Sequence, residues 1–254
     1  MAWHFSSAAA IGGRETQQDR VAILHSPDGN SHLLLVADGM GGHRDGALAA
    51  QAVLDCAESN FREDSGADPL RFLERLCTQA HARILALADG QERPPGSTCA
   101  LLYLRSGEAY WSHVGDSRIY HWRDGALLHR TRDHTAAELL RYAAGGQAAP
   151  GVKGHELYMC LGGCNCLEPD FESSDVRSGD LFLLCSDGFW KYLESEGLGS
   201  GLSAGIDSDS AAALVARAAA SAGDGGDNIS LALAYWEDPA ARGLLGRVKT
   251  WFGS

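Results

Sequence analysis

The sequence predicts an α+β fold in which two packed β-sheets carry helices on their outer faces. Strand-like apolar runs occur in groups, and paired helix-like stretches lie between the groups, which argues against a regular βαβ alternation. The runs are apolar enough to require cover on both faces, as in the centre of a layered sandwich. With 254 residues and no linker or internal repeat, the chain is expected to form one main domain.

The elements can be assigned in chain order. Residues 1–25 contain two short strand-like pieces around a polar centre, and residues 33–37 form an apolar run too short for an ordinary helix. Two helices come next: residues 46–61, and a second helix for which Asp68 is a suitable N-cap and Pro69 suits the first position. The later elements are strands at 98–104, 108–114 and 118–123, a helix at 135–144, a strand at 180–185, a helix at 210–222 and a strand at 229–236.

Composition limits the possible partners and location. The formal net charge of −12 argues against nucleic acid or an anionic membrane as the main partner. The chain lacks both a transmembrane-length apolar run and a recognisable signal peptide, so we expect seven reduced cysteines in a cytoplasmic protein. Cys160, Cys164 and Cys166, with His155 nearby, form the one local cluster of soft ligands, but their spacing matches no strong zinc pattern.

Three aspartates stand at the ends of predicted strands. Asp38 and Asp187 closely follow apolar runs, and Asp227 precedes the last one. Asp-Gly is also a common turn dipeptide, and Asp124-Gly125 is expected to be an ordinary hairpin turn. If the three carboxylates meet, they require a cation, and hard oxygen donors favour Mg²⁺ or Mn²⁺. Two such ions can hydrolyse a phosphate ester, and Arg14 in the polar loop could contact the phosphate.

Seven short motifs support this chemistry between about residues 5 and 236. In chain order they are Arg14-Glu15-Thr16-Gln17-Gln18-Asp19, LVADGMGGH at 35–43, Gly96-Ser97-Thr98, VGDSRIY at 114–120, Asp133-His134, Cys185-Ser186-Asp187-Gly188 and Asp227-Asn228. Together they resemble the type 2C metal-dependent Ser/Thr protein phosphatases (the PPM family), in particular the bacterial branch. Each motif is weak alone, but their shared order is specific.

The resemblance implies a four-layer αββα sandwich with two mostly antiparallel central sheets. Residues 1–238 would form the catalytic domain, with 135–159 as a short flap-like segment beside the active site. Residues 239–254 would form an amphipathic C-terminal tail, which either docks on a partner or membrane surface or packs on its own domain.

The resemblance also implies a metal-ligand set. Asp38 would bridge two Mn²⁺ or Mg²⁺ ions, the Gly39 carbonyl would bind one of them, and Asp187 and Asp227 would complete the other ion's shell. Asp116 resembles the residue that, together with the equivalent of Asp187, holds a third and weaker ion in bacterial relatives. The reaction would be a single-step attack on phosphorus by metal-bound hydroxide, with no part for the cysteines.

Supporting roles are implied for four further residues. Gln18 and Asp19 would hold metal-bound waters, Asn228 would orient Asp227, and Arg14 would bind the substrate phosphate. The expected partners are phosphoproteins, namely substrates of a Ser/Thr kinase, and the chain is expected to be a monomer.

Some positions depart from the family pattern. Gln17 stands where the family usually has Asn, and Met40 replaces a histidine proposed as the general acid in animal relatives, so that role cannot be carried over. His43 is interpreted as a structural or solvent-facing histidine. Two other functions stay open: a catalytically inactive module that binds phosphoproteins, and a phosphatase of small phosphorylated metabolites.

Overall fold

A computed structural model describes residues 2–41, 43–64, 66–87, 94–105, 107–143, 156–163, 166–195 and 207–237, except for the side chains of His43 and Arg44. Within these ranges the chain forms eleven strands and five α-helices. The strands are β1 (Ala2–Ala10), β2 (Asp19–His25), β3 (Ser31–Met40), β4 (Gly96–Ser97), β5 (Cys99–Arg105), β6 (Glu108–Val114), β7 (Arg118–Arg123), β8 (Ala126–Arg130), β9 (Asp170–Asp175), β10 (Asp180–Cys185) and β11 (Ile229–Glu237). The helices are α1 (His43–Arg62), α2 (Pro69–Leu87), α3 (Ala136–Ala143), α4 (Asp187–Ser195) and α5 (Ser210–Ala222).

The strands form two sheets. Sheet I has the order β1-β11-β10-β7-β8, and sheet II has the order β2-β3-β5-β6-β9, with the short β4 paired to β3. The strand pairs are antiparallel. The predicted α+β sandwich with two antiparallel central sheets is therefore confirmed.

Strand β3 shows why the sheets need cover on both faces. Leu33 and Leu35 pack into a core shared with α1 and α2, whereas Leu34 and Val36 pack into the core between the two sheets. All four side chains are fully buried, because successive residues of a strand point to opposite faces. The result is a continuous apolar run, as the sequence predicts for residues 33–37.

Strand β10 repeats this arrangement in sheet I. Leu181 and Leu183 pack with α4 and α5, while Phe182 and Leu184 join the core between the sheets. The order of layers is thus α1 and α2, sheet II, sheet I, then α4 and α5. Three hydrophobic cores fill the spaces between these four layers.

Most predicted elements appear close to their expected bounds. The Asp68 side chain caps α2 by accepting the N–H of Arg71 at 3.1 Å. Asp124 and Gly125 form the expected hairpin turn between β7 and β8, with positive φ values of 50° and 79°. The structure adds α4, which starts at Asp187, and the edge strand β9, neither of which was predicted.

Two predicted segments lie wholly or partly outside the described residues. The flap-like segment 135–159 is described only at 135–143 and 156–159, where α3 begins and Thr135 bridges to Leu157. The tail 239–254 lies outside the described ranges. Among the helices that are described, none combines the length and the apolar character needed to cross a bilayer.

Candidate active site

Sheet II contributes two aspartates that lie opposite each other. Asp19 begins β2 and pairs in register with Asp38 near the end of β3. The Asp38 backbone is fixed by Thr98, whose hydroxyl accepts the Asp38 N–H at 2.9 Å and whose N–H donates to the Asp38 carbonyl at 2.8 Å. Ser186, which follows β10 of sheet I, donates its hydroxyl to Asp19 Oδ2 at 2.8 Å. The two sheets are therefore joined by a hydrogen bond at this point.

Sheet I and a connection between the sheets supply three more carboxylates. Asp187 begins α4 directly after β10, Asp227 precedes β11, and Asp116 lies in the link between β6 and β7. Burial raises the pKa of Asp38 well above its ordinary value, and repulsion from Asp19, Asp187, Asp116 and Asp227 raises it further. The structure thus brings together the three strand-end aspartates and the two further aspartates, Asp19 and Asp116, that the resemblance indicated.

The electrostatics of the cluster favour the protonated forms of Asp38, Asp19 and Asp116 when no cation is present. Burial raises the pKa of Asp19 to about 6, although the nearby hydroxyls of Ser186 and Ser230 oppose the shift. Burial, with repulsion from Asp187, raises the pKa of Asp116 to about 7. Like charges that cannot be separated by water raise one another's pKa in this way.

The donor atoms of the cluster fit divalent cations. Asp19 Oδ1 and Asp187 Oδ1 are buried, and neither has a hydrogen-bond partner among the described residues. Buried carboxylate oxygens are normally satisfied, so two unsatisfied ones in a single cluster fit a bound cation. Carboxylate oxygens are hard donors, which suits Mg²⁺ or Mn²⁺ better than softer metals.

Gly39 is packed so closely that no side chain fits. A Cβ at Gly39 would lie 1.9 Å from the Gly46 carbonyl oxygen, and a Cβ at Gly46 would lie 2.4 Å from Gln18 Nε2 and 2.7 Å from the Gly39 carbonyl oxygen. The start of α1 therefore approaches the end of β3 backbone to backbone. Glycine at 46 keeps space around the carbonyl that the resemblance assigns to an ion.

The polar loop before β2 is fastened by two amide side chains. Asn228 Oδ1 accepts the Gln18 N–H at 2.8 Å, and Asn228 Nδ2 donates to the carbonyls of Ile11 and Thr16. The backbone N–H of Asn228 donates to Asp227 Oδ1 at 2.8 Å. Asn228 thus contacts Asp227 through its backbone, while its side chain holds the loop.

Gln17, which departs from the family pattern, also supports this loop. Its Nε2 donates to the Ala10 carbonyl at 3.0 Å, and its Oε1 accepts the Asp19 N–H at 3.0 Å. The side chain therefore links the end of β1 to the start of β2.

Two basic side chains border the carboxylates. Arg14 pairs with Asp227 Oδ2 at 2.7 Å, and Lys191 pairs with Asp187 Oδ2 at 2.6 Å. Arg14, Lys191 and Asp227 line the same surface groove, together with Tyr192. The predicted substrate-binding arginine therefore contacts a predicted metal ligand in this structure. The sequence pattern alone did not indicate Lys191, because it did not predict helix α4, which carries it.

Asp116 is held by a chain of contacts that reaches into sheet I. Its carbonyl accepts the Trp190 indole N–H at 2.9 Å, and the Arg118 guanidinium lies 3.5 Å from the centre of the Trp190 ring. Arg118 also forms two hydrogen bonds to Asp133, at 2.7 and 2.8 Å. These buried contacts fix the link that carries Asp116.

A second group of possible metal ligands, His113, His134 and Asp170, is better explained as a structural tie. Their ligand atoms lie within 4.8 Å of one another. However, His134 Nδ1 accepts the Gly115 N–H at 3.2 Å, so its proton resides on Nε2, which lies 3.3 Å from Asp170 Oδ2. A protonated Nε2 is a donor and cannot bind a metal.

The remaining sequence predictions stay untested. In the zinc interpretation, Cys164 and His155 lie outside the described residues, as does the side chain of His43.

Comparison with known proteins finds one family, the protein phosphatases of type 2C. A family model described as Protein phosphatase 2C matches residues 8–207. The serine/threonine protein phosphatase PstP of Mycobacterium tuberculosis is 28% identical over 220 residues, which cover 80% of this chain and 40% of PstP. The chain thus spans about two fifths of that relative's length. Protein phosphatase PhpP of Streptococcus pneumoniae is 29% identical over 229 residues, covering 87% of this chain and 92% of PhpP.

Solved structures agree with these matches. The S. agalactiae serine/threonine phosphatase has a TM-score of 0.81 and 26% identity, covering 93% of this chain and 100% of that one. The catalytic domain of PstP, solved in complex with two manganese ions, has a TM-score of 0.77 and 27% identity, with 93% and 99% coverage.

Proposed function

Because this chain belongs to the protein phosphatase 2C family, we propose that it is a metal-dependent phosphatase of phosphoserine and phosphothreonine in proteins. One observation carries the proposal. Carboxylates from both sheets converge, and two of their buried oxygens have no hydrogen-bond partner in the described part of the chain. Such a cluster is unfavourable without divalent cations and favourable with them.

The residues that would hold the ions are those at the junction of the sheets. Asp38 and the Gly39 carbonyl would contribute from β3, and Asp187 and Asp227 from the other sheet. When bound, the ions supply a water of lowered pKa as the nucleophile and neutralise charge on the phosphoryl oxygens. The two manganese ions in the PstP structure support this choice of metal. Whether Asp116 and Asp187 also hold a third ion depends on Lys191, which contacts Asp187.

Side chains of this chain would do the remaining work. Asp19 would accept hydrogen bonds from ordered water through its unpaired Oδ1, and Asn228 would hold the loop from which Arg14 extends. Arg14 is half-exposed and pairs with Asp227. With Asp227 holding an ion, the Arg14 guanidinium would be free to bind two phosphoryl oxygens, for which its planar fork is suited.

The phosphoryl group would pass directly to water, without a phosphoenzyme. Cys185 is close to Asp187 in sequence, but it packs in the core between sheet I and its helices. Burial raises the pKa of the Cys185 thiol, which disfavours the nucleophilic thiolate. The proposal further includes kinase substrates as partners, a monomeric state and a cytoplasmic location, which rest on composition and resemblance.

The test is hydrolysis of a phosphothreonine peptide with Mn²⁺, with and without EDTA. We expect turnover that requires the metal and that falls by at least about a thousandfold in Asp38→Ala, since loss of a bridging ligand disrupts both ions. Asp175→Ala, which removes an exposed carboxylate from the edge strand β9, is the matched control and should retain activity.

The same assay addresses the two other functions. Manganese binding measured by calorimetry, but without turnover of any phosphoester, would identify an inactive binding module. Turnover of sugar phosphates in strong preference to the peptide would identify a phosphatase of small metabolites. Full peptide turnover in EDTA, or in Asp38→Ala, would refute the metal-dependent mechanism.

A further inference from the structure

Lys191 occupies a position within the candidate site that the family motifs do not explain. It lies one helical turn after Asp187 on α4, and its Nζ is 2.6 Å from Asp187 Oδ2. Positions four residues apart share one face of a helix, so the backbone of α4 presents the ammonium to the carboxylate. The contact occurs at the groove that also contains Arg14 and Asp227.

The two oxygens of Asp187 consequently face different surroundings. Oδ2 accepts the Lys191 ammonium, whereas Oδ1 is buried and has no hydrogen-bond partner in the described part of the chain. A carboxylate serves two ions most directly by giving one oxygen to each. Asp187 therefore has one oxygen left for an ion of the main pair.

Lys191 also acts on Asp116, the other residue expected to hold a third ion. Asp187 and Asp133 repel the Asp116 carboxylate, while Lys191 attracts it. The ammonium thus already provides positive charge where Asp187 and Asp116 would require a third cation.

The charges of the site balance with two ions. Asp38 interacts with Asp19, Asp187, Asp116 and Asp227, and the five carboxylates carry five negative charges when ionised. Two divalent ions and one ammonium carry five positive charges. Arg14 then remains available for the phosphate. A third divalent ion would give the same cluster an excess of positive charge, unfavourable beside a lysine in contact with Asp187.

We propose that the Lys191 ammonium takes the place of a third divalent cation between Asp187 and Asp116, so that this chain binds two ions. The inference rests on the proposed function, because it assumes that the main pair of ions binds. Lys191 is then a positioning residue: it holds Asp187 and compensates Asp116, and it does not contact the reacting atoms.

The test counts bound manganese rather than activity. The chain of residues 1–254 is dialysed to equilibrium against increasing Mn²⁺ without substrate, and the bound metal per chain is measured by elemental analysis. We expect two ions for wild type and for Lys191→Arg, which keeps the positive charge. We expect three for Lys191→Asp, which replaces the ammonium with an additional carboxylate facing Asp187 and Asp116.

Arg83→Met is the matched control for loss of one positive charge. Arg83 forms a half-exposed pair with Asp55 at 3.4 Å on the α1–α2 layer, away from the carboxylates. It should bind two ions, like wild type. Far-UV circular dichroism and a melting curve establish that each variant is folded.

The outcomes separate the two proposals. Three ions on wild type, or two on a folded Lys191→Asp, would overturn the role of Lys191 and leave the proposed function intact. A variant that changes only the KM for phosphopeptide, with its metal count unaltered, would assign Lys191 to substrate binding instead. Wild type that binds no manganese would overturn the proposed function itself. If Lys191→Asp does not fold, the counts for wild type and Lys191→Arg still decide between two and three ions.

Discussion

The metal-free protein is expected to become more stable when one carboxylate of its site is neutralised. The substitution is Asp19→Asn. Asp19 is 2% exposed, lies opposite Asp38 in the β2–β3 ladder, and accepts the Ser186 hydroxyl through Oδ2. Asparagine has nearly the same shape, retains an oxygen for Ser186, and presents an amide donor where Asp19 Oδ1 has no partner among the described residues.

The magnitude follows from the pKa of Asp19. Burial is the main cause that raises it from 3.8 to about 6, so ionisation of Asp19 costs the folded state about 3 kcal/mol relative to the unfolded chain. A carboxyl whose pKa is raised by folding favours the folded state below pH 3.8. This contribution disappears as the pH rises through about 6, where the folded protein must give up the proton. Asp19→Asn should therefore gain up to about 3 kcal/mol above pH 6, and progressively less toward pH 4.

The assay is urea unfolding in EDTA at a series of pH values between 5 and 8, with the free energy of unfolding extrapolated to water. Asp28→Asn is the control of opposite sign, since hydrogen bonds from Ser26 and Asn30 lower the pKa of Asp28 to about 2. That variant should be no more stable than wild type at pH 8. An Asp19→Asn protein that is less stable than wild type at pH 8 in EDTA, or whose advantage does not grow with pH, would contradict the reasoning.

Three further predictions concern the metals, the backbone and the core. Manganese affinity should fall below about pH 7, because the pKa of Asp116 is raised to about 7 and that of Asp19 to about 6. Binding at pH 6 should therefore release protons, which calorimetry in buffers of different ionisation enthalpy measures. Gly46→Ala should weaken Mn²⁺ binding at least about tenfold, because its Cβ would lie 2.7 Å from the Gly39 carbonyl oxygen. Circular dichroism should show that the variant is still folded. Unchanged affinity would argue against that carbonyl as a ligand. Phe182→Ala should lower the free energy of unfolding in urea by about 3–5 kcal/mol, because the fully buried Phe182 ring fills the core between the sheets. A decrease below about 1 kcal/mol would mean that this core repacks freely.

The layered fold could be predicted because burial on both faces leaves a direct trace in the sequence. The apolar run at 180–185 is strand β10, and the alanine-rich stretch at 210–222 is helix α5. Strand β9 has the sequence DFESSD and lies at the edge of sheet II, where much of its surface faces water. A polar edge strand carries no apolar periodicity, so it could not be identified in this way.

Helix α4 was missed for a different reason. Only Ser186 separates it from β10, and its first two residues are Asp187-Gly188, a dipeptide typical of turns. Tertiary packing explains the outcome: Phe189 is fully buried, and Trp190 packs in the same core. With α4 unrecognised, the four-residue spacing of Asp187 and Lys191 had no structural meaning.

The site was only partly predictable from residue patterns. Asp38, Asp187 and Asp227 were found because each borders an apolar run. Asp19 and Asp116 were found through resemblance to a family, because neither closes such a run. Their meeting depends on the register of β2 against β3 and on the path of the β6–β7 link, which are properties of the folded sheets.

The division of the carboxylates between two sheets has a consequence for how the protein responds to heat and to distant substitutions. The carboxylates of the proposed ligand set come from both sheets, so a metal centre at this site would depend on how well the two sheets are aligned. Sliding of one sheet against the other by a fraction of an ångström would loosen the ions long before the hydrophobic cores came apart. Loss of metal should therefore be the first sign of heat damage, and substitutions far from the site, such as those in the core around Phe182, should reduce manganese retention while the chain is still folded.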